Sequence, residues 1–162
     1  MGVKDLFHKA YTGEAKAALR LKVFGEKADK EGYTQMAKLF RVISFSEEIH
    51  GSRNLKMLKE IGSTEENLAS SFESETRIAE VAYSEFIKEA DKEGDDQAAL
   101  IFSQSRDVEE VHANLYKKAL NHMVDETETT YYVCKVCGYV SDTILPDECP
   151  VCGAKKKQFV SF

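Results

Sequence analysis

Laid on itself with a shift of 62 residues, the first 124 residues of this 162-residue chain repeat several motifs in register. ADKEG stands at 28–32 and again at 90–94, Phe40 returns as Phe102, and EEIH at 47–50 returns as EEVH at 109–112. Such a repeat is one supersecondary unit made twice, and here each copy reads as a helical hairpin. Residues 1–124 contain no proline, are dense in Ala, Leu, Glu and Lys, and space their apolar residues by three and four. Breaks near Gly32, Gly62 and Gly94 leave four segments, each about 40 Å long as a helix. The expected fold is mainly α, a four-helix bundle over residues 1–125.

The apolar stripes of these helices contain ligand-type residues. In the second segment Met36, Phe40 and Ile43 lead to Glu47 and His50 and onward to Met57 and Ile61; in the fourth, Ala98, Phe102 and Ser105 lead to Glu109, His112, Tyr116 and Ala119. A Glu and a His three apart share one helix face. The first segment (Phe7, Ala10, Glu14, Ala17, Leu21, Phe24) and the third (Leu68, Phe72, Glu75, Ala79, Ala82, Phe86) each hold a single Glu in the stripe. Four carboxylates at one level of a core need compensating cations, and two divalent ions would balance them. Two lone Glu and two Glu-x-x-His pairs form the pattern of ferritin-like di-iron proteins. Carboxylates can bridge two ions, and imidazoles suit iron while leaving positions open for an oxygen species. His8 and His122 lack such a setting and read as surface residues.

With the 62-residue shift Glu14 falls on Thr76, whereas the candidate ligand is Glu75. The third helix has therefore gained one residue, and a π-bulge between Glu75 and Phe86 is predicted to absorb it.

All four cysteines, Cys134, Cys137, Cys149 and Cys152, lie in two Cys-x-x-Cys-Gly knuckles with eleven residues between Cys137 and Cys149. That spacing suits tetrahedral coordination of zinc or iron. A module over 131–162, joined by a linker at about 125–130, accounts for both prolines and for the aromatics Tyr131, Tyr132, Tyr139 and Phe159, a candidate small core. A redox site upstream favours iron there. Net charge is -6 and no basic run stands out, which argues against nucleic acid. No stretch approaches the apolar length of a membrane span and no signal peptide is evident, so the expectation is a cytoplasmic protein whose cysteines bind metal rather than pair.

TGEAKA, EEIH, EVAYSEF and EEVHANLY, followed by CKVCGY and CPVCG, resemble the rubrerythrins over nearly the whole chain. The resemblance implies a ferritin-like di-iron bundle followed by a rubredoxin-like domain. Glu14, Glu47, His50, Glu75, Glu109 and His112 would bind two iron ions, with Glu47 and Glu109 bridging, and the four cysteines would hold a third iron. It implies reduction of hydrogen peroxide to water, with rubredoxin or an NAD(P)H-dependent reductase as electron donor. Two features depart from the family pattern: Ile78 stands where a second third-helix Glu is usual, and Leu21 replaces a tyrosine near the metals, while Tyr83 matches another. Without the extra carboxylate, His50 is expected to stay bound throughout. The ligand set that remains is also that of a ferroxidase or oxygen-reducing protein, and a non-enzymatic iron-binding or electron-transfer role is the third reading. The short connection between His50 and Glu75 allows adjacent antiparallel helices or hairpins exchanged between chains; the expectation is a homodimer.

Overall fold

A computed structural model describes residues 2–121 and 128–162. His122 and much of the expected linker lie outside the described residues. Two compact units make up the chain, Met1–Gly62 and Ser63–Phe162. Among the described residues no helix is long and apolar enough to cross a membrane.

The first unit is a hairpin of α1 (Val3–Lys30) and α2 (Thr34–Leu58). Its turn is made by Gly32 at φ 82°, a left-handed conformation that costs glycine little. The Gly32 N–H donates to the Asp29 carbonyl at 3.0 Å and the Tyr33 N–H to that of Ala28 at 2.9 Å. Along the seam Ala18, Gly25 and Ala28 face Ala37, Ser44, Gly51 and Leu58, all buried. The second set recurs every seven residues, as a continuous helix–helix contact requires. Small side chains bring the backbones close: a Cβ on Gly25 would lie 3.4 Å from the Ala37 carbonyl oxygen. Ser44 donates to the Ala18 carbonyl at 2.8 Å, which satisfies a buried hydroxyl.

Within the hairpin itself the bulky stripe is not the seam: Phe24, Met36, Ile43, Met57 and Ile61 are between 41% and 59% exposed. The physical reason is that two helices enclose only the narrow strip between them, and small residues take it; the larger apolar residues and the ligand-type side chains form the adjoining face.

The second unit begins with α3 (Thr64–Arg77), which passes through a π-helical segment, Ile78–Ala82, into α4 (Tyr83–Glu93). Ser63 and Glu66 cap its start reciprocally, at 3.2 and 2.7 Å. The turn into α5 (Asp96–Asn121) reproduces the first one 62 residues on: Gly94 has φ 72°, and the Asp95 N–H donates to the Ala90 carbonyl at 2.9 Å. Ring pairs repeat as well, Phe24 with Phe40 at 5.7 Å and Phe86 with Phe102 at 5.6 Å. Phe24 to Phe86 is a step of 62 and Glu14 to Glu75 a step of 61. The one-residue difference falls where the π segment lies, as the register predicts.

After α5 come β1 (Tyr132–Cys134), β2 (Val140–Ser141) and β3 (Phe159–Ser161), antiparallel in the order β2-β1-β3. Tyr139 and Phe159 meet edge to face at 6.5 Å in the expected small core. Tyr131 departs from that expectation; it is 41% exposed and lines a cavity beside α5.

Candidate metal centres

Each hairpin brings together three candidate ligands. In the first unit Glu14 comes from the middle of α1, and Glu47 and His50 from one face of α2; in the second, Glu75 comes from α3, and Glu109 and His112 from α5. Within each triad one ligand atom from every residue lies within 4.8 Å of the others. With bonds of about 2.1 Å, a single ion would need only a small closure of either triad. His50 Nδ1 stands 3.0 Å from Glu47 Oε2, and His112 Nδ1 stands 3.0 Å from Glu109 Oε2. Gly51 packs beside the first triad, where a Cβ would lie in ordinary contact with the Glu14 Cβ at 3.6 Å.

Electrostatics in both triads call for a cation. The hydrogen bond to Glu47, desolvation and the Glu47 charge hold the Glu14 carboxyl above its usual range, against the opposing pull of His50. Burial, then the hydrogen bond and charge of Glu109, raise Glu75 likewise, with His112 opposing. A cation between the paired carboxylates would relieve the repulsion that helps raise Glu14 and Glu75.

The four cysteines converge without pairing. Cys134 Sγ lies 3.8 Å from Cys152 Sγ, and Cys137 Sγ 3.6 Å from Cys149 Sγ. A disulfide would need about 2.0 Å, whereas a tetrahedral ion with bonds of about 2.3 Å has edges of about 3.8 Å. The residues therefore fit a tetrahedral four-thiolate metal. Both knuckles close identically: the N–H groups of Gly138 (φ 84°) and Gly153 (φ 72°) donate to the carbonyls of Cys134 and Cys149, each at 2.9 Å. Burial pushes the Cys134 thiol up, but the N–H groups of Cys137 and Val136 outweigh it and the thiol lies below its ordinary value. Burial raises Cys137 and Cys152.

Within the second unit the cysteine module rests on α5. His112 Nε2 is 3.3 Å from the Gly138 carbonyl, one residue from Cys137. A carbonyl only accepts, so this contact fixes the proton on Nε2 and leaves Nδ1, on the Glu109 side, for an ion. Gly138 also packs near Val108, and Lys118 pairs with Asp142, which raises the lysine above its ordinary range. Sequence reasoning missed Gly138. Its backbone carbonyl leaves no trace in residue type beyond the glycine that follows every knuckle.

The remaining expected residues have plainer settings. His8 is on the surface, 3.1 Å from Glu60. Tyr83 packs against Phe86 and Phe102, with ring centroids at 5.7 and 6.3 Å. Ile78 opens the π segment, half-buried.

The family model described as Rubrerythrin matches residues 5–120 and 66–144, and the one described as Rubrerythrin, rubredoxin-like domain, matches 132–160. The chain belongs to the rubrerythrin family. A rubrerythrin of Porphyromonas gingivalis is 31% identical over 93% of this chain and 84% of its own length. Rubrerythrin-2 of Clostridium acetobutylicum is 28% identical over 98% and 95%. A solved structure of fully reduced, all-ferrous nigerythrin is similar with a TM-score of 0.61 at 26% identity, covering 100% of this chain and 87% of that one. Rubrerythrin membership makes this a ferritin-like, oxidoreductase-type protein with a carboxylate di-iron site and a four-cysteine rubredoxin-like site.

Proposed function

We propose that the chain is a non-haem di-iron peroxidase that reduces hydrogen peroxide to water (H2O2 + 2 H+ + 2 e− → 2 H2O), its electrons coming through the four-cysteine centre from rubredoxin or an NAD(P)H-dependent reductase. The observation that carries this reading is the His112–Gly138 contact, which joins a candidate di-iron ligand to the cysteine module within one unit. Glu14 and Glu75 would be terminal ligands and Glu47 and Glu109 bridging ones, with His50 and His112 binding through Nδ1; Cys134, Cys137, Cys149 and Cys152 would hold the third iron. A bound iron pair supplies two electrons together, so the O–O bond can break without releasing hydroxyl radical. The protein's own part is to gather the carboxylates, fix the histidine tautomer and keep the module against α5. Because Ile78 offers no carboxylate, His50 would hold its iron in both oxidation states. Residues 1–125 and 131–162 would then be the catalytic and electron-receiving domains, in a cytoplasmic homodimer. Four unpaired thiols suit a reducing compartment.

Metal analysis and single-turnover kinetics test the reading. The expected outcome is about three irons per chain, with reduced protein oxidised fast by peroxide and slowly by dioxygen. Zinc in the four-cysteine site would sink the relay. Preference for dioxygen, or repeated uptake of ferrous iron, would make it a ferroxidase. A monodisperse monomer by sedimentation would remove the dimer.

A further inference from the structure

The duplication supplies an internal control, because each candidate half-site has its own cavity. Beside the first, Phe7, Arg53, Asn54 and Met57 join Glu14 and His50 around about 260 Å³. Beside the second, a cavity of about 350 Å³ runs along His112 between Leu68, Leu115, Tyr116 and Ala119, with Tyr131 and Val140 of the cysteine module. These are two copies of one cavity. The 61-residue step from Glu14 to Glu75 carries Phe7 to Leu68; the 62-residue step from His50 to His112 carries Arg53, Asn54 and Met57 to Leu115, Tyr116 and Ala119.

Their chemistry has diverged. At His50 the lining presents a guanidinium and a carboxamide, and among the described residues Arg53 has no ion-pair partner. Arginine keeps its charge at any working pH and offers five N–H donors in a fixed fork, which suits a small oxygen acceptor that gains negative charge as its O–O bond lengthens. At His112 the equivalent positions are leucine and tyrosine, and the Gly138 carbonyl already engages Nε2. Exposure follows the same division: the His50 side chain is 49% exposed and that of His112 27%.

We propose that the two hairpins have divided the work of the peroxidase, on whose assignment this rests: peroxide reaches the di-iron site through the cavity at His50, where Arg53 binds and orients it, while the cavity at His112 is the electron side.

The test uses the full-length, iron-loaded, reduced protein in stopped flow. Arg53→Leu, which gives the first cavity the residue of the second, is expected to lower the second-order rate constant for oxidation by peroxide about tenfold, the loss of one charged hydrogen-bonding group. The loss should lie in the concentration needed for saturation rather than in the limiting rate, and Arg53→Lys should restore most of it. A second measurement needs no metal: in the metal-free full-length chain, diethyl pyrocarbonate followed by peptide mass analysis should modify His50 faster than His112. Wild-type protein inert to peroxide overturns the peroxidase reading and this proposal with it. Fast wild-type oxidation with an unchanged Arg53→Leu rate, or equal modification of the two histidines, overturns the proposal alone.

Discussion

His50 and His112 occupy one position in two copies of one hairpin, each with Nδ1 3.0 Å from the Glu three residues before it. What differs is the other ring nitrogen's surroundings. His112 Nε2 meets the Gly138 carbonyl of the cysteine module, while His50 lines a cavity with Arg53 and Asn54. The triads repeat because ligation needs the same atoms twice. On the proposed function the flanks are free to diverge, since a di-iron peroxidase would exchange both electrons and an oxygen species with its surroundings. A π segment in only one copy belongs to the same pattern: it re-aims Glu75 by one residue while leaving the Phe86–Phe102 pair in its inherited register.

The largest expected effect comes from cutting the electron side. Cys149→Ser should remove the four-cysteine iron and lower steady-state peroxide reduction at least 100-fold, while chemically reduced protein still reacts with peroxide in a single turnover. Equal loss in both assays would show that the module supports the bundle and not the relay. Next, Glu14→Ala and Glu75→Ala should each weaken iron binding by about 10- to 100-fold or more, read by competition with a chelator. A much smaller effect at either one would break the equivalence of the two triads.

Seam substitutions should act on stability rather than chemistry. Gly25→Val would force a branched side chain against the Ala37 carbonyl, which a Cβ alone meets at 3.4 Å, and should cost about 1–3 kcal/mol in denaturant unfolding. Gly32→Ala, at a left-handed φ with nothing near its Cβ, should cost about 1 kcal/mol through the backbone alone.

The pH dependence is smaller and has a definite sign. Glu14 and Glu75 are raised in the folded protein, so the folded state holds their protons more tightly than the unfolded one. Their contribution to stability is full below the ordinary carboxylate range and is lost as pH rises through the raised values. Metal-free protein should therefore lose thermal stability over that interval, and Glu14→Gln with Glu75→Gln should flatten the loss. Loaded protein should show the opposite slope, because the ions require ionised carboxylates. A melt series with and without metal reads both.

Much of this protein is legible in its residues alone. Two hairpin turns follow from Gly32 and Gly94, since left-handed backbone at glycine is a local matter, whereas α2 ends ahead of Gly62, at Lys59 with φ 55°. The triads follow from the spacing of Glu47 with His50 and Glu109 with His112, because helical periodicity decides which side chains share a face. The extra residue before Phe86 follows from counting, and the cysteine knuckles from their spacing. Tertiary structure decided the rest. Burial belongs to Ala37, Ser44, Gly51 and Leu58 rather than to the bulky stripe, because the closeness of two helices selects for small residues wherever they fall. The Gly138 carbonyl reached His112 through 26 residues of chain, and Arg53 came to share a cavity with Glu14 across the hairpin. Backbone atoms carry no residue identity and cavities are made by neighbours distant in sequence, so spacing rules, which see one element at a time, cannot reach either.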